Sequence, residues 1–83
     1  MTSQDAILTE VAAIIRKAFR QPDVVITRDT TALDVDGWDS LSHTMLLLDI
    51  EKHFSLRLPA DRVYDLADVG ELVDLIAQTK GAA

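Results

Sequence analysis

The chain has 83 residues, carries 14 acidic against 8 basic side chains for a net charge of −6, and contains no cysteine. That length leaves room for one domain, residues 1–83, and the missing cysteine removes disulfides, thiolate metal sites and cysteine nucleophiles together. No window gathers Lys and Arg into a stripe, which argues against nucleic acid and makes a basic protein surface the natural complement.

Hydrophobic residues make up 48% of the chain and aromatics only 5%, so the expected core is aliphatic. No apolar run is long enough to span a bilayer, and the start Met1-Thr2-Ser3-Gln4-Asp5 lacks the basic and apolar regions of a secretion signal. The expectation is a cytoplasmic monomer without a membrane partner.

From Thr2 or Ser3 to about Arg20, Ile7, Leu8, Val11, Ile14, Ile15, Ala18 and Phe19 recur at helical spacing and predict a first helix. Pro22 stops it, because proline disfavours the helical conformation of the residue before it. Val24-Val25-Ile26-Thr27 is β-branched, but no second run exists to pair with it. It reads as extended loop pinned by Ile26 or Val24. The connection continues to Asp39, with Leu33 and Val35 as expected inward anchors; a loop this long in so small a domain points to function.

The second helix is predicted over Ser40–Phe54, with Asp39 as its N-cap and Gly37 supplying a positive φ for the turn into it. At about 100° per residue, Leu46, Leu47, Ile50 and Phe54 form one face, while Leu41, Met45 and Leu48 with Thr44 form nearly the opposite one. Only one face can pack on the domain's own core. The first is the larger, so the second, which begins beside Ser40, becomes a candidate partner surface.

Leu56 and Leu58 alternate toward the core in a connector, and Ala60–Leu66 allows a turn or two of helix after Pro59. Asp68 and Glu71 then read as a capping box, with Glu71 reaching back to Asp68, for a last helix ending near Gln78 or Thr79. The predicted architecture is all-α: a small four-helix bundle of three longer helices and one short one, with a long first loop.

Ser40 falls in the first turn of the second helix, exposed and beside a helix N-terminus, where the macrodipole favours a phosphate. Catalysis by Ser40 with His43 and Asp36 or Asp39 has the residue types of a triad. It lacks a G-x-S-x-G elbow and the chain needed for a substrate pocket, and His43 lies on the core side, where a bond to a loop carbonyl is expected. His53, near the end of that helix, reads as a cation favoured by the dipole or a neutral surface residue. Calcium fails on register: with Gly37 at loop position six, Ala32 and His43 stand where carboxylates are required. What remains is an exposed hydroxyl suited to modification, or a helical interaction module with no prosthetic group.

Asp39-Ser40-Leu41, preceded by Gly37-Trp38 and followed by an amphipathic helix ending in Phe54, resembles the attachment motif of the acyl carrier and peptidyl carrier proteins. The resemblance covers nearly the whole chain, through the Leu58-Pro59 connector and the Asp68-capped last helix. It implies that Ser40 takes a 4′-phosphopantetheine arm from coenzyme A through a Mg²⁺-dependent phosphopantetheinyl transferase. Asp39 and Leu41 would take part in that recognition. The implied protein is not an enzyme: it holds acyl or aminoacyl intermediates as thioesters, filled by a loading enzyme and emptied by downstream synthases or transferases. Leu41, Thr44, Met45 and Leu48, with Asp36 and Glu51, are the candidate docking residues. Helix two of many fatty-acid carriers is lined with acidic residues, whereas Met45, Leu48 and Lys52 occupy the exposed stripe here. With Gly37-Trp38, this looks more like carriers of specialised polyketide or nonribosomal peptide pathways.

Overall fold

A computed structural model describes residues 4–81. Its elements are α1 (Gln4–Ala18), a 3-10 turn at Ala32–Asp34, α2 (Ser40–Phe54) and α3 (Val69–Gly81), with no strand among the described residues. Residues 2 and 3, where the first helix was expected to begin, and residues 82 and 83 lie outside them.

The apolar periodicity of each helix becomes one aliphatic core. Ile7, Val11 and Ile15 of α1, Leu46, Leu47 and Ile50 of α2, and Leu72, Val73, Leu75 and Ile76 of α3 are all buried, and α1 packs against both other helices. Phe54 and Phe19 lie half-buried at its edge, while Ala18, grouped with the first helix's stripe, faces solvent. The C-terminal ends of α1 and α2 are closed by local chemistry. Arg20 ends α1 in the left-handed region (φ 55°), so that Gln21 N–H donates to Arg16 O at 2.9 Å and Arg20 N–H to Lys17 O at 3.3 Å. Ser55 (φ 54°) does the same for α2, with Leu56 N–H donating to Glu51 O at 3.1 Å. The first stop therefore lies two residues before Pro22.

The long loop is seated rather than free. Ile26 and Val35 are buried, Val24 is half-buried, and Arg16 Nε donates to Val24 O at 2.8 Å. Its middle is stapled to the start of α3: Val69 N–H donates to Thr30 O and Gly70 N–H to Arg28 O, both at 2.8 Å. Two otherwise orphaned helix-terminal donors are satisfied this way. Asp68 caps α3 as expected, its Oδ1 accepting from Glu71 N–H at 2.9 Å. Glu71, however, reaches back to Ala67 N–H at 2.9 Å rather than to Asp68, one residue further than a capping box requires. α3 also runs to Gly81, past the expected stop at Gln78 or Thr79.

Two loop expectations need correction. Leu33 is 97% exposed, not an inward anchor. The 3-10 turn turns it outward, held closed by the Asp34 carboxylate accepting from Thr31 N–H at 2.9 Å, and only Val35 enters the core. The stretch expected as a short fourth helix is a run of turns, with Arg62 and Val63 N–H groups both donating to Pro59 O at 3.0 and 3.3 Å. The Val63 bond is the one i→i−4 bond within residues 59–66, so no helix propagates from it.

Candidate functional site

The site grows from the turn into α2. Trp38 N–H donates to Val35 O at 3.3 Å, closing a turn in which Gly37 adopts φ +88°, as the third position of a type II turn demands. Asp39 is then the N-cap, its Oδ1 accepting from Ser42 N–H at 2.9 Å, and that bond holds its carboxyl below the usual aspartate range. Ser42 hydroxyl donates to Gly37 O at 2.8 Å and ties cap to turn. Ser40 is exposed, and its hydroxyl has no protein hydrogen-bond partner among the described residues.

Ser40 opens onto a cleft of about 350 Å³ between the long loop, α2 and the start of α3. Thr30, Thr31 and Ala32 of the loop, Trp38 and His43 at the start of α2, Tyr64 and Leu66 of the connector, and Asp68 and Leu72 at the start of α3 line it. Three aromatic rings and an imidazole make successive contacts here. Phe19 stacks on Trp38 (centroids 5.4 Å apart), Trp38 on His43 (6.1 Å), and His43 meets Tyr64 (5.6 Å).

His43 has the carbonyl partner expected of it, with Nε2 lying 2.8 Å from Val63 O. Its Nδ1 accepts from the Trp38 indole at 3.1 Å. Both ring nitrogens are therefore turned away from Ser40, and a serine–histidine pair is absent. His53 pairs with Glu10 of α1 at 3.1 Å. Among the described residues no group of three or more His, Asp or Glu is placed to hold a metal ion.

The two faces of α2 separate as the spacing predicts. Leu41 (72%), Met45 (60%) and Leu48 (52%) are exposed, opposite the buried Leu46, Leu47 and Ile50. Thr44 is half-buried on the flank of that stripe, its hydroxyl 2.9 Å from that of Tyr64. Asp36 is exposed beside Gly37, while Glu51 Oε2 accepts from Leu58 N–H at 2.8 Å, so half of its carboxylate is committed to the connector. Tyr64 was not singled out from the sequence, and Leu33 was expected to point inward rather than toward the site. Both are exposed hydrophobic residues near the cleft, one on its wall and one next to Ala32.

A family model of the phosphopantetheine attachment site matches residues 9–76. The chain belongs to that family. The carrier is 32% identical over 81 residues to an acyl carrier protein of Kineococcus radiotolerans, covering 98% of this chain and 100% of the relative. It is 33% identical over 81 residues to an acyl carrier protein of Acidothermus cellulolyticus, covering 98% and 96%. Its fold is similar to the solution structure of holo acyl carrier protein from Geobacter metallireducens, with a TM-score of 0.83, 34% identity, and coverage of 92% of this chain and 87% of that one. The protein is a carrier rather than an enzyme, it bears a covalent 4′-phosphopantetheine group, and it works with modifying and synthase enzymes. An interaction module without a prosthetic group is thereby set aside. No helix among the described residues is long and apolar enough to cross a membrane.

Proposed function

We propose that Ser40 is the attachment point of the 4′-phosphopantetheine arm and that the carrier, acting as a monomer, shuttles acyl or aminoacyl groups between enzymes of a specialised pathway. The observation that carries this reading is the Ser40 hydroxyl itself: exposed, unbonded to protein, in the first turn of α2 and at the mouth of the cleft. The residues present suit the group. A phosphodiester on Ser40 lies at the positive end of the α2 dipole, worth about 0.3–1 kcal/mol, and the cleft offers hydroxyls of Thr30, Thr31 and Tyr64 together with the apolar Leu66 and Leu72. When bound, the arm supplies the thiol that a chain without cysteine lacks, and that thiol holds the cargo as a thioester.

Asp39 fixes the direction in which Ser40 is shown to the transferase, and Leu41 stands beside it. Leu41, Met45 and Leu48, flanked by Thr44 and Tyr64, form the surface for the loading and downstream enzymes. Asp36 marks its loop end, and the free oxygen of Glu51 its far end. The apolar character of that stripe supports partners of a specialised pathway over those that read an acidic helix.

Mass measurement after incubation with coenzyme A and a broad-specificity transferase tests the assignment. Wild type gains one phosphopantetheine and Ser40→Ala gains none. Equal loading of the two proteins would move the anchor elsewhere, and no loading of wild type would refute the reading.

A further inference from the structure

His43 is held by two groups whose hydrogen-bonding roles cannot be exchanged. The Trp38 indole can only donate, and it meets Nδ1 at 3.1 Å; the Val63 carbonyl can only accept, and it lies 2.8 Å from Nε2. Together they assign a single state, the neutral imidazole with its proton on Nε2. The ring also stacks on Trp38 and meets Tyr64 at a tilt of 60°, and the next residue of α2, Thr44, bonds the Tyr64 hydroxyl at 2.9 Å. Residues 59–66 need such ties because they form no regular helix. Their own backbone bonds run only from Arg62 and Val63 to Pro59 and from Asp65 to Arg62. Where this segment sits against α2 is set from outside, and its residues Tyr64 and Leu66 wall the cleft beside Ser40.

We propose that His43 is a positioning residue for the carried group: by latching residues 62–66 to the first turns of α2, it sets the width of the cleft and the share of time that the arm spends there. This rests on Ser40 as the anchor. Trp38 supplies the opposing half of the latch, so that the turn into α2, the helix and the wall are referred to one ring.

Two substitutions separate the latch from simple packing. His43→Gln offers one acceptor and one donor and can bridge Trp38 and Val63; His43→Phe keeps a ring in the stack but leaves the indole N–H and the carbonyl facing an apolar edge. On the unloaded wild type at neutral pH, imidazole ¹⁵N spectra should show one protonated Nε2 and one unprotonated Nδ1; the other tautomer, or a mixture, overturns the proposal. Wild type and both variants are then loaded with phosphopantetheine. The readouts are nuclear Overhauser contacts from the arm to Tyr64 and Leu66, and hydrogen exchange at the Val63 and Asp65 amides.

His43→Phe should weaken those contacts several-fold and speed exchange at Val63 and Asp65 while Leu46 and Ile50 stay protected, and His43→Gln should restore at least half of the loss. Equal arm contacts in all three proteins refute the latch even though Ser40 is loaded, whereas a wild type that takes up no arm refutes the reading of Ser40 and the latch falls with it. Should His43→Phe fail to fold, His43→Gln against Thr44→Val decides. Thr44→Val removes the neighbouring tie and should loosen the arm's contact with Tyr64 more than with Leu66; no difference between this pair and wild type overturns the proposal.

Discussion

Gly70→Ala tests whether the long loop is truly seated on α3. Gly70 is the second residue of that helix, and its N–H donates to Arg28 O at 2.8 Å. A Cβ there would stand 2.9 Å from that same oxygen, 3.1 Å from Arg28 Cβ and 3.3 Å from its Cζ. The guanidinium carbon can swing aside only by disturbing the Arg28–Asp74 ion pair, 2.9 Å long; the backbone oxygen cannot move without lifting the loop. Alanine would ordinarily gain about 0.8–1 kcal/mol over glycine inside a helix, and less in the first turn. Against this stand an overpacking cost of about 1–3 kcal/mol and the weakening of two loop-to-helix bonds, each contributing about 0.5–1.5 kcal/mol. The balance is a loss of roughly 1–3 kcal/mol, which for a domain of this size lowers Tm by about 4–25 °C. Thermal and urea unfolding followed by circular dichroism measures it, with Gly81→Ala as the control because nothing lies within 4 Å of a Cβ at that position. A Gly70→Ala protein that melts at or above the wild-type temperature would refute the seating of the loop, and with it the placement of Thr30 and Thr31 at the cleft.

Neighbouring positions on α2 should behave oppositely. Leu46→Ala, at a fully buried site, should cost about 2–5 kcal/mol and Met45→Ala less than about 0.5 kcal/mol, read from urea midpoints; similar losses would dissolve the distinction between core and docking face. Met45→Glu and Leu48→Glu should keep helicity and phosphopantetheine loading while slowing transfer to and from the partner enzymes, and an unfolded variant would show the stripe to be core. The Asp39 cap carries a pH signature. Its folded carboxyl titrates below the ordinary value of about 4, so its contribution is complete above that pH and is lost as pH falls through the lower folded value. The stability gap between wild type and Asp39→Ala should therefore be flat from pH 7 to about 5 and close in stronger acid; a gap that widens on acidification would contradict the cap.

The bounds of α2 were legible because three signals agree there: a glycine that permits positive φ, an acidic cap, and a helical period that starts directly after it. The same reasoning stopped short in the loop. Leu33 and Val35 are both branched aliphatics two positions apart, and no period distinguishes them; the side chain that enters the core is decided by the 3-10 turn, which depends on Asp34 closing onto Thr31. Residues 60–66 failed as a helix for a related reason. Their turns are tied to α2 through His43 and Thr44, twenty residues away in sequence, and to α3 through Arg62 and Gln78, and local propensity carries no trace of those bonds. The class of partner for His43 could be anticipated, since a half-buried imidazole on a core-facing side needs an acceptor, but the identity of Val63 could not.

The composition pointed to an aliphatic core, and the few aromatic residues sharpen that point when they are located. Of the four Phe, Trp and Tyr rings in the chain, three, Phe19, Trp38 and Tyr64, are joined through His43 into one set of contacts at the cleft that Ser40 lines. The three helices are held by Leu, Ile and Val, where regular backbone already aligns one apolar stripe with the next. At the site, two irregular segments meet the start of α2 and have no such alignment to rely on. Large rings fit that situation, because each covers much apolar area at little conformational cost, and Trp38 and Tyr64 also make a directed bond.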